Sequence, residues 1–312
     1  MSSLPLKHHT SRKTNQNQKL VSQRIDPACL MRIKSLELRA KSVVEGTWNG
    51  LHRSPYHGFS VEFTEYREYS PGDDPRHIDW KLAARSNQHF IKRFEEETNL
   101  CCHMLLDLSS SMQFHSLGYS KADYAKTLAA TFAYFLSTQR DASGLIIFDE
   151  QVESVVPARF TRGQLRRILI ELERPPQGSH TNFVSPLKHA IETIKKRGLV
   201  VLISDLLSPL EELNTHLGYL RAKGHEVALF QILDPSEIHL NFNESAIFED
   251  MESGERIALN PKSAQANYQQ QLNRHLKEIQ NMCRKQGVHY HRLTTDTPLE
   301  AGLSDFLTDR AA

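Results

Sequence analysis

Two short apolar runs end on an aspartate, and that pairing constrains the fold of this chain more than any other feature. Cys101-Cys-His-Met-Leu-Leu106 leads into Asp107, and Leu199-Val-Val-Leu-Ile-Ser204 leads into Asp205. Runs of this length, apolar on successive residues, read as strands of a parallel sheet buried on both faces. The segments around them alternate in the same sense. Gly144 to Phe148, Val152 to Pro157, Glu226 to Leu233 and Val288 to Leu293 read as strands. Ser120-Lys-Ala-Asp123 forms a capping box ahead of an apolar stripe running from Ala122 to Leu136. Further helices are expected at Arg162 to Arg174, Leu187 to Lys196, Leu210 to Lys223, Ser263 to Gln286 and Pro298 to Leu307. Ser185 and Pro186 are placed as cap and first residue of the helix that includes Leu187. Such alternation predicts an α/β fold with an open, doubly wound parallel sheet. Ala246 to Asp250 and Arg256 to Leu259 interrupt it as a protruding β-hairpin.

The chain divides into three parts on this reading. Residues 1–25 are polar and basic and are expected to be a disordered tail. Residues 26–99 form a smaller N-terminal α+β region, with a helix from Pro27 to Ala40, a loop from Gly46 to Gly58 and a strand at Phe59 to Phe63. Residues 100–312 hold the large domain. The N-terminal region also contains the block Arg67-Glu-Tyr-Ser-Pro-Gly-Asp-Asp-Pro-Arg-His-Ile-Asp-Trp-Lys-Leu-Ala-Ala-Arg85. Its Asp73, Asp74 and Asp79 match a supply of Arg67, Arg76, Lys81 and Arg85, as in an internal clamp of paired charges. A partner-binding loop is the alternative.

The loop after Asp107 reads Asp107-Leu-Ser109-Ser-Ser111, which puts one carboxylate and two hydroxyls on one turn at the carboxyl edge of a strand. These are hard oxygen donors, suited to Mg²⁺ or Mn²⁺. Alone, the pentapeptide also fits a helix N-cap after a strand. With Thr181 in the loop ahead of Ser185, and with Asp205 at the second strand end, the order of residues resembles the metal-ion-dependent adhesion site of von Willebrand factor A domains. The resemblance implies a metal site made of Asp107, Ser109, Ser111, Thr181 and Asp205. Its first shell is poor in direct carboxylates, so it would accept an acidic residue from a partner protein.

A wider resemblance rests on Tyr66-Arg-Glu-Tyr-Ser-Pro-Gly-Asp-Asp-Pro-Arg-His-Ile-Asp-Trp-Lys-Leu-Ala-Ala-Arg85, on His89-Phe-Ile-Lys-Arg-Phe-Glu-Glu-Glu-Thr98 and on the strand with its DLSSSM loop. From about Asp26 onward the chain resembles the bacterial domain-of-unknown-function family fifty-eight. That family places this block before a von Willebrand A-like domain and is often encoded beside MoxR-type AAA+ ATPases. The resemblance implies a non-enzymatic adaptor or co-chaperone of such an ATPase.

Composition excludes other classes. Lys and Arg total 38 against 37 Asp and Glu, so the net charge of +1 gives no general attraction to nucleic acid. No apolar run reaches membrane-spanning length and no signal core opens the chain, so membrane insertion is not expected. The four cysteines lack metal-site spacing and read as reduced thiols of a cytoplasmic protein. His289 and His291 share a strand face and read as surface histidines. A Mg²⁺-dependent phosphoryl-transfer or hydrolytic enzyme is the alternative function. Against it, no Gly-rich phosphate loop is present, and no base neighbours Ser109 or Ser111.

Overall fold

A computed structural model of the chain describes residues 24–51, 66–68, 85, 90–92, 100–175, 182–240, 246–249, 256–259 and 261–311. Helices α1 (Pro27–Met31) and α2 (Leu36–Leu51) come first, followed by a short antiparallel pair, β1 (Tyr66–Glu68) and β2 (Phe90–Lys92). The larger body is then built from β3 (Cys101–Asp107), α3 (Lys121–Thr138), β4 (Ala142–Phe148), β5 (Val152–Arg159), α4 (Gln164–Glu173) and α5 (Val184–Thr193). It continues through β6 (Leu199–Ser204), α6 (Leu210–Ala222), β7 (Glu226–Leu233) and α7 (Pro235–His239). The hairpin β8 (Ala246–Glu249) and β9 (Arg256–Leu259), then α8 (Pro261–Gln286), β10 (His289–Thr294) and α9 (Leu299–Ala311) complete the chain.

The six-stranded sheet has the order β10-β7-β6-β3-β4-β5. All its pairs are parallel except β4 with the edge strand β5. Side chains alternate between two cores, as the pleat requires. Cys102, Met104 and Leu106 of β3 join Val201 and Ile203 of β6 and Ala228, Phe230 and Ile232 of β7 in one cluster. Leu105, Val200, Leu202, Val227 and Leu229 point into the other. The first core is roofed by α2, α3, α4 and α9, and the second by α5, α6 and α8. This is the doubly wound α/β sheet expected from the two apolar runs.

Helix α3 is the buried centre of its layer. Ser120 caps it through a complete capping box with Asp123. Its sequence is rich in alanine because the sheet, α2 and α4 press on several of its sides. Helix α2 packs along α3 through Leu36, Ala40, Val43 and Val44, all buried in the same cluster as the sheet.

Three expectations are corrected. The single helix expected from Pro27 to Ala40 is two helices, broken between Met31 and Leu36. The loop placed from Gly46 is helix as far as Leu51. Gly46 is tolerated there because a Cβ would lie 3.1 Å from Oε1 of Glu300 on α9, so the glycine answers a close approach and not a turn. Helix α5 starts at Val184, earlier than the Ser185 cap anticipated. The Asn182 side chain accepts the Val184 N–H at 2.8 Å and supplies the start signal. The proposed Phe59 to Phe63 strand and the Asp73, Asp74 and Asp79 clamp lie outside the described residues.

Candidate functional site

The sheet order reverses direction at its centre. From β3 the chain steps to β4 and β5 on one side, then returns to β6 and continues to β7 and β10 on the other. The crevice outside the carboxyl ends of β3 and β6 is therefore the topological switch point, where open α/β sheets place ligands. Asp107 is the last residue of β3 and Asp205 the first after β6.

Asp107 is fully buried. Its Oδ1 accepts the Ser109 N–H at 2.9 Å, which folds the loop back over the strand end. Its Oδ2 accepts the Ser204 hydroxyl at 2.6 Å across the β3–β6 pair. The Ser109 and Ser111 hydroxyls lie 3.2 Å apart; Ser109 is buried and Ser111 half-buried at the start of a 3₁₀ turn, Ser110–Gln113. Three of the five anticipated residues are thus brought together on one loop. Thr181 lies outside the described residues.

Asp205 sits in a loop fixed from several sides. Its carbonyl accepts from Gln231 Nε2 at 2.8 Å, and Leu206 N–H donates to Ser204 Oγ at 3.1 Å. The Leu206 carbonyl meets His275 Nε2 of α8 at 2.7 Å. Leu206 takes a left-handed conformation with φ of 58°, a strain of about 1–3 kcal/mol for a non-glycine residue. Strain of this kind persists where the surroundings over-determine the backbone. It turns Leu207 out to 46% exposure at the rim of the crevice.

Sequence reasoning missed the residue that pairs with the Asp205 carboxylate. Lys121, the first residue of α3, is wholly buried, and its Nζ lies 2.9 Å from Asp205 Oδ2 and 2.5 Å from Glu237 Oε1. Glu237 belongs to α7, which was not anticipated. Asp234-Pro-Ser-Glu237 was its legible signal: a cap, a proline at the first position and a glutamate completing the box. Lys121 had no such signal, because a lysine beside a capping box ordinarily points to solvent.

The electrostatics follow from burial. Asp107 is pushed up to about 7, first by desolvation and then by the neighbouring charge of Asp205, while its bonds from Ser204 and Ser109 pull the other way. The Lys121 ammonium is held above its usual range, because its two carboxylate partners outweigh the desolvation that opposes them. An Asp107 carboxyl above its ordinary value binds a proton more readily in the folded than in the unfolded chain. Its contribution to stability is therefore present at low pH and is lost as pH rises from about 4 through about 7. Asp107→Asn cannot undergo that loss. In EDTA its stability relative to the parent should rise by about 1–3 kcal/mol between about pH 5 and about pH 8, read from urea midpoints. A pH-independent difference would place Asp107 outside this electrostatic environment.

The donor set suits a divalent cation in three respects. Two hydroxyls adjoin on one turn, two buried carboxylates repel each other nearby, and the serine side of the loop reaches solvent at Ser111. Among the described residues no cluster of three or more His, Cys, Asp or Glu side chains is placed to hold a metal. The hydroxyls of Ser109 and Ser111 would therefore be needed. His291 is not a surface histidine: it is buried and stacks on Phe230 at 4.9 Å between ring centroids. His103 contacts Cys101 Sγ at 3.3 Å within β3, away from the carboxyl edge.

Sheet order and switch point define an open, doubly wound α/β domain with an Asp-Ser-Ser loop at its crevice. The family described as protein of unknown function DUF58 matches residues 65–278, and the chain belongs to it. An uncharacterized protein of Mycobacterium tuberculosis, Rv1480, is 26% identical over 290 residues, covering 91% of this chain and 90% of its own. An aerotolerance-related membrane protein of Bacteroides fragilis, solved with several substitutions to serine, aligns with a TM-score of 0.47 at 14% identity. That alignment covers 67% of this chain and 99% of that one. The SpRpn10 VWA domain aligns with a TM-score of 0.39 at 11% identity over 68% of this chain and 95% of its own. Among the described residues no helix is long and apolar enough to cross a membrane.

Proposed function

We propose that this chain is a non-enzymatic, metal-dependent protein-binding module of the cytoplasm that serves a MoxR-type AAA+ ATPase as adaptor or co-chaperone. The observation that supports it most is the pair of Ser109 and Ser111 hydroxyls beside Asp107 at the switch point. Ser109, Ser111 and Asp107 would hold Mg²⁺ or Mn²⁺, with Asp205 and Thr181 completing the set. A bound divalent cation supplies a Lewis-acidic position that a carboxylate of another protein can complete. The protein's own part is to fix the donors: Ser204 holds Asp107, and Gln231 and His275 hold the Asp205 loop. The ATPase partner is drawn from the family resemblance.

Ser111→Ala tests the reading. The substitution removes a half-buried hydroxyl and almost no apolar area, so the variant should fold as the parent does, with unchanged circular dichroism. Affinity for the cognate ATPase should be metal-dependent in the parent and fall at least tenfold in Ser111→Ala. Equal affinities for parent and variant, with and without Mg²⁺, would reject the adhesion mechanism.

A second reading, Mg²⁺-dependent phosphoryl transfer or hydrolysis, draws on the buried ammonium of Lys121 beside Asp205. Turnover of generic phosphate esters, lost in Asp107→Ala, would favour it.

A further inference from the structure

Lys121 breaks two local rules at once. It carries a charge into a fully buried position, where an ammonium is tolerated only when paired. It also stands at the first position of α3, directly after the Ser120 cap, where the helix dipole repels a cation. Violations of this kind collect at functional sites. The partners that hold it there are Asp205 and Glu237.

These partners are not equivalent. Asp205 belongs to the candidate metal site, and among the described residues its other oxygen receives only the Leu207 N–H at 3.3 Å. Glu237 lies on α7 and is not one of the candidate ligands. Its Oε2 accepts the Asp234 N–H at 2.7 Å, which fixes the carboxylate independently of Lys121. The α7 backbone is tied in turn to α8, where Tyr268 Oη donates to the Glu237 carbonyl at 2.5 Å. Lys121 therefore has one seat on the metal site and one off it. The charges are unbalanced as well. Asp205 and Glu237 share the single ammonium, which leaves a net negative charge when both are ionised.

We propose that Lys121 is the resident cation of the site: its ammonium occupies Asp205 while the site is metal-free, yields Asp205 when a divalent cation is bound, and stays on Glu237. This inference rests on the metal-binding reading and adds to it a competitor built into the chain. Metal affinity is then set by a contest for one carboxylate. A lysine and a divalent cation cannot both sit against Asp205 without strong like-charge repulsion.

The contest predicts opposite effects for two substitutions. Lys121→Met removes the competitor and most of its bulk is retained, so Mg²⁺ should bind at least tenfold more tightly. The melting temperature of that variant should also rise more at saturating Mg²⁺ than the parent's does. Glu237→Gln weakens the alternative seat and leaves Lys121 to Asp205, so Mg²⁺ should bind at least threefold more weakly. The measurement is calorimetric titration of MgCl₂ into the full-length parent and both variants, with thermal melts in EDTA and in Mg²⁺. A parent that binds while both variants keep its affinity, or change it in the same direction, overturns the inference and leaves the metal reading intact. Binding by Lys121→Met alone supports the inference and rejects a metal-loaded parent at the concentrations used. No binding by any of the three overturns both. Should Lys121→Met fail to fold, Glu237→Gln decides: unchanged or tighter binding overturns the contest.

Discussion

Asp205→Ala should lower the stability of the metal-free protein by about 3 kcal/mol and abolish the Mg²⁺ titration, the first effect measured by urea unfolding and the second by calorimetry. Removing one partner of a buried ion pair costs about 3–5 kcal/mol when it strands the other charge. Here Lys121 keeps Glu237, so the lower end of that range applies. The Leu207 N–H also loses its acceptor, next to a backbone already strained at Leu206. Asp205 thus has a structural role and, on the proposed function, a ligating one, and the two separate experimentally. Parent-like stability with titration lost would mean that the Lys121 pair is not formed in solution. Stability lost with titration unchanged would remove Asp205 from the metal site.

Phe230→Ala should be the most damaging single change in the core. Its ring is fully buried and packs on Phe132 at 5.3 Å, Phe306 at 5.9 Å and His291 at 4.9 Å, so β7, β10, α3 and α9 meet on it. Truncating a buried Phe costs about 3–5 kcal/mol. For a domain of this size each kcal/mol moves the melting temperature by about 2–4 °C, so a drop of about 10 °C is expected by calorimetry. The buried, neutral His291 would lose its stacking partner in the same step. Burial holds that imidazole below its usual range, with Asp309 opposing the effect. A melting temperature within about 2 °C of the parent's would show that the neighbours close the void, against the expectation for a site with partners on three other elements.

The sheet was readable because its strands are buried on both faces and carry almost nothing polar until they end. Asp107 and Asp205 stood out for that reason: each is the first charged residue after a run that cannot tolerate one. The resemblance that grouped them used the spacing of Asp107, Ser109 and Ser111 within one loop and the order in which Thr181 and Asp205 follow it. Lys121, and the meeting of Glu237 with it, were not readable. The two residues lie 84 and 32 residues from Asp205 in sequence, and only the docking of α3 and α7 on the same crevice brings them together. Gly46 misled for a related reason. A glycine in a helical pattern reads as a break, yet here it makes room for Glu300, a residue supplied from the far end of the chain. His289 and His291 looked alike on one strand face, but the Phe230 and Phe306 rings that enclose His291 come from other elements.

That meeting of early and late segments bears on how the chain folds as it is made. Helix α2 rests on α3 and on α9, and the Ile25 N–H is closed by Glu300 Oε1 at 3.0 Å. Roughly 250 residues separate α2 from α9, and at ribosomal rates of about 5–20 residues per second that gap lasts tens of seconds. Helix α2 can lie against α3 soon after emergence, but its second wall arrives only with the final helix. During that interval the apolar face of α2 lacks its second wall. Folding is completed by a clasp between the two ends of the described fold, so shortening the chain at α9 should trap a species that is protease-sensitive at α2 while the central sheet is already protected.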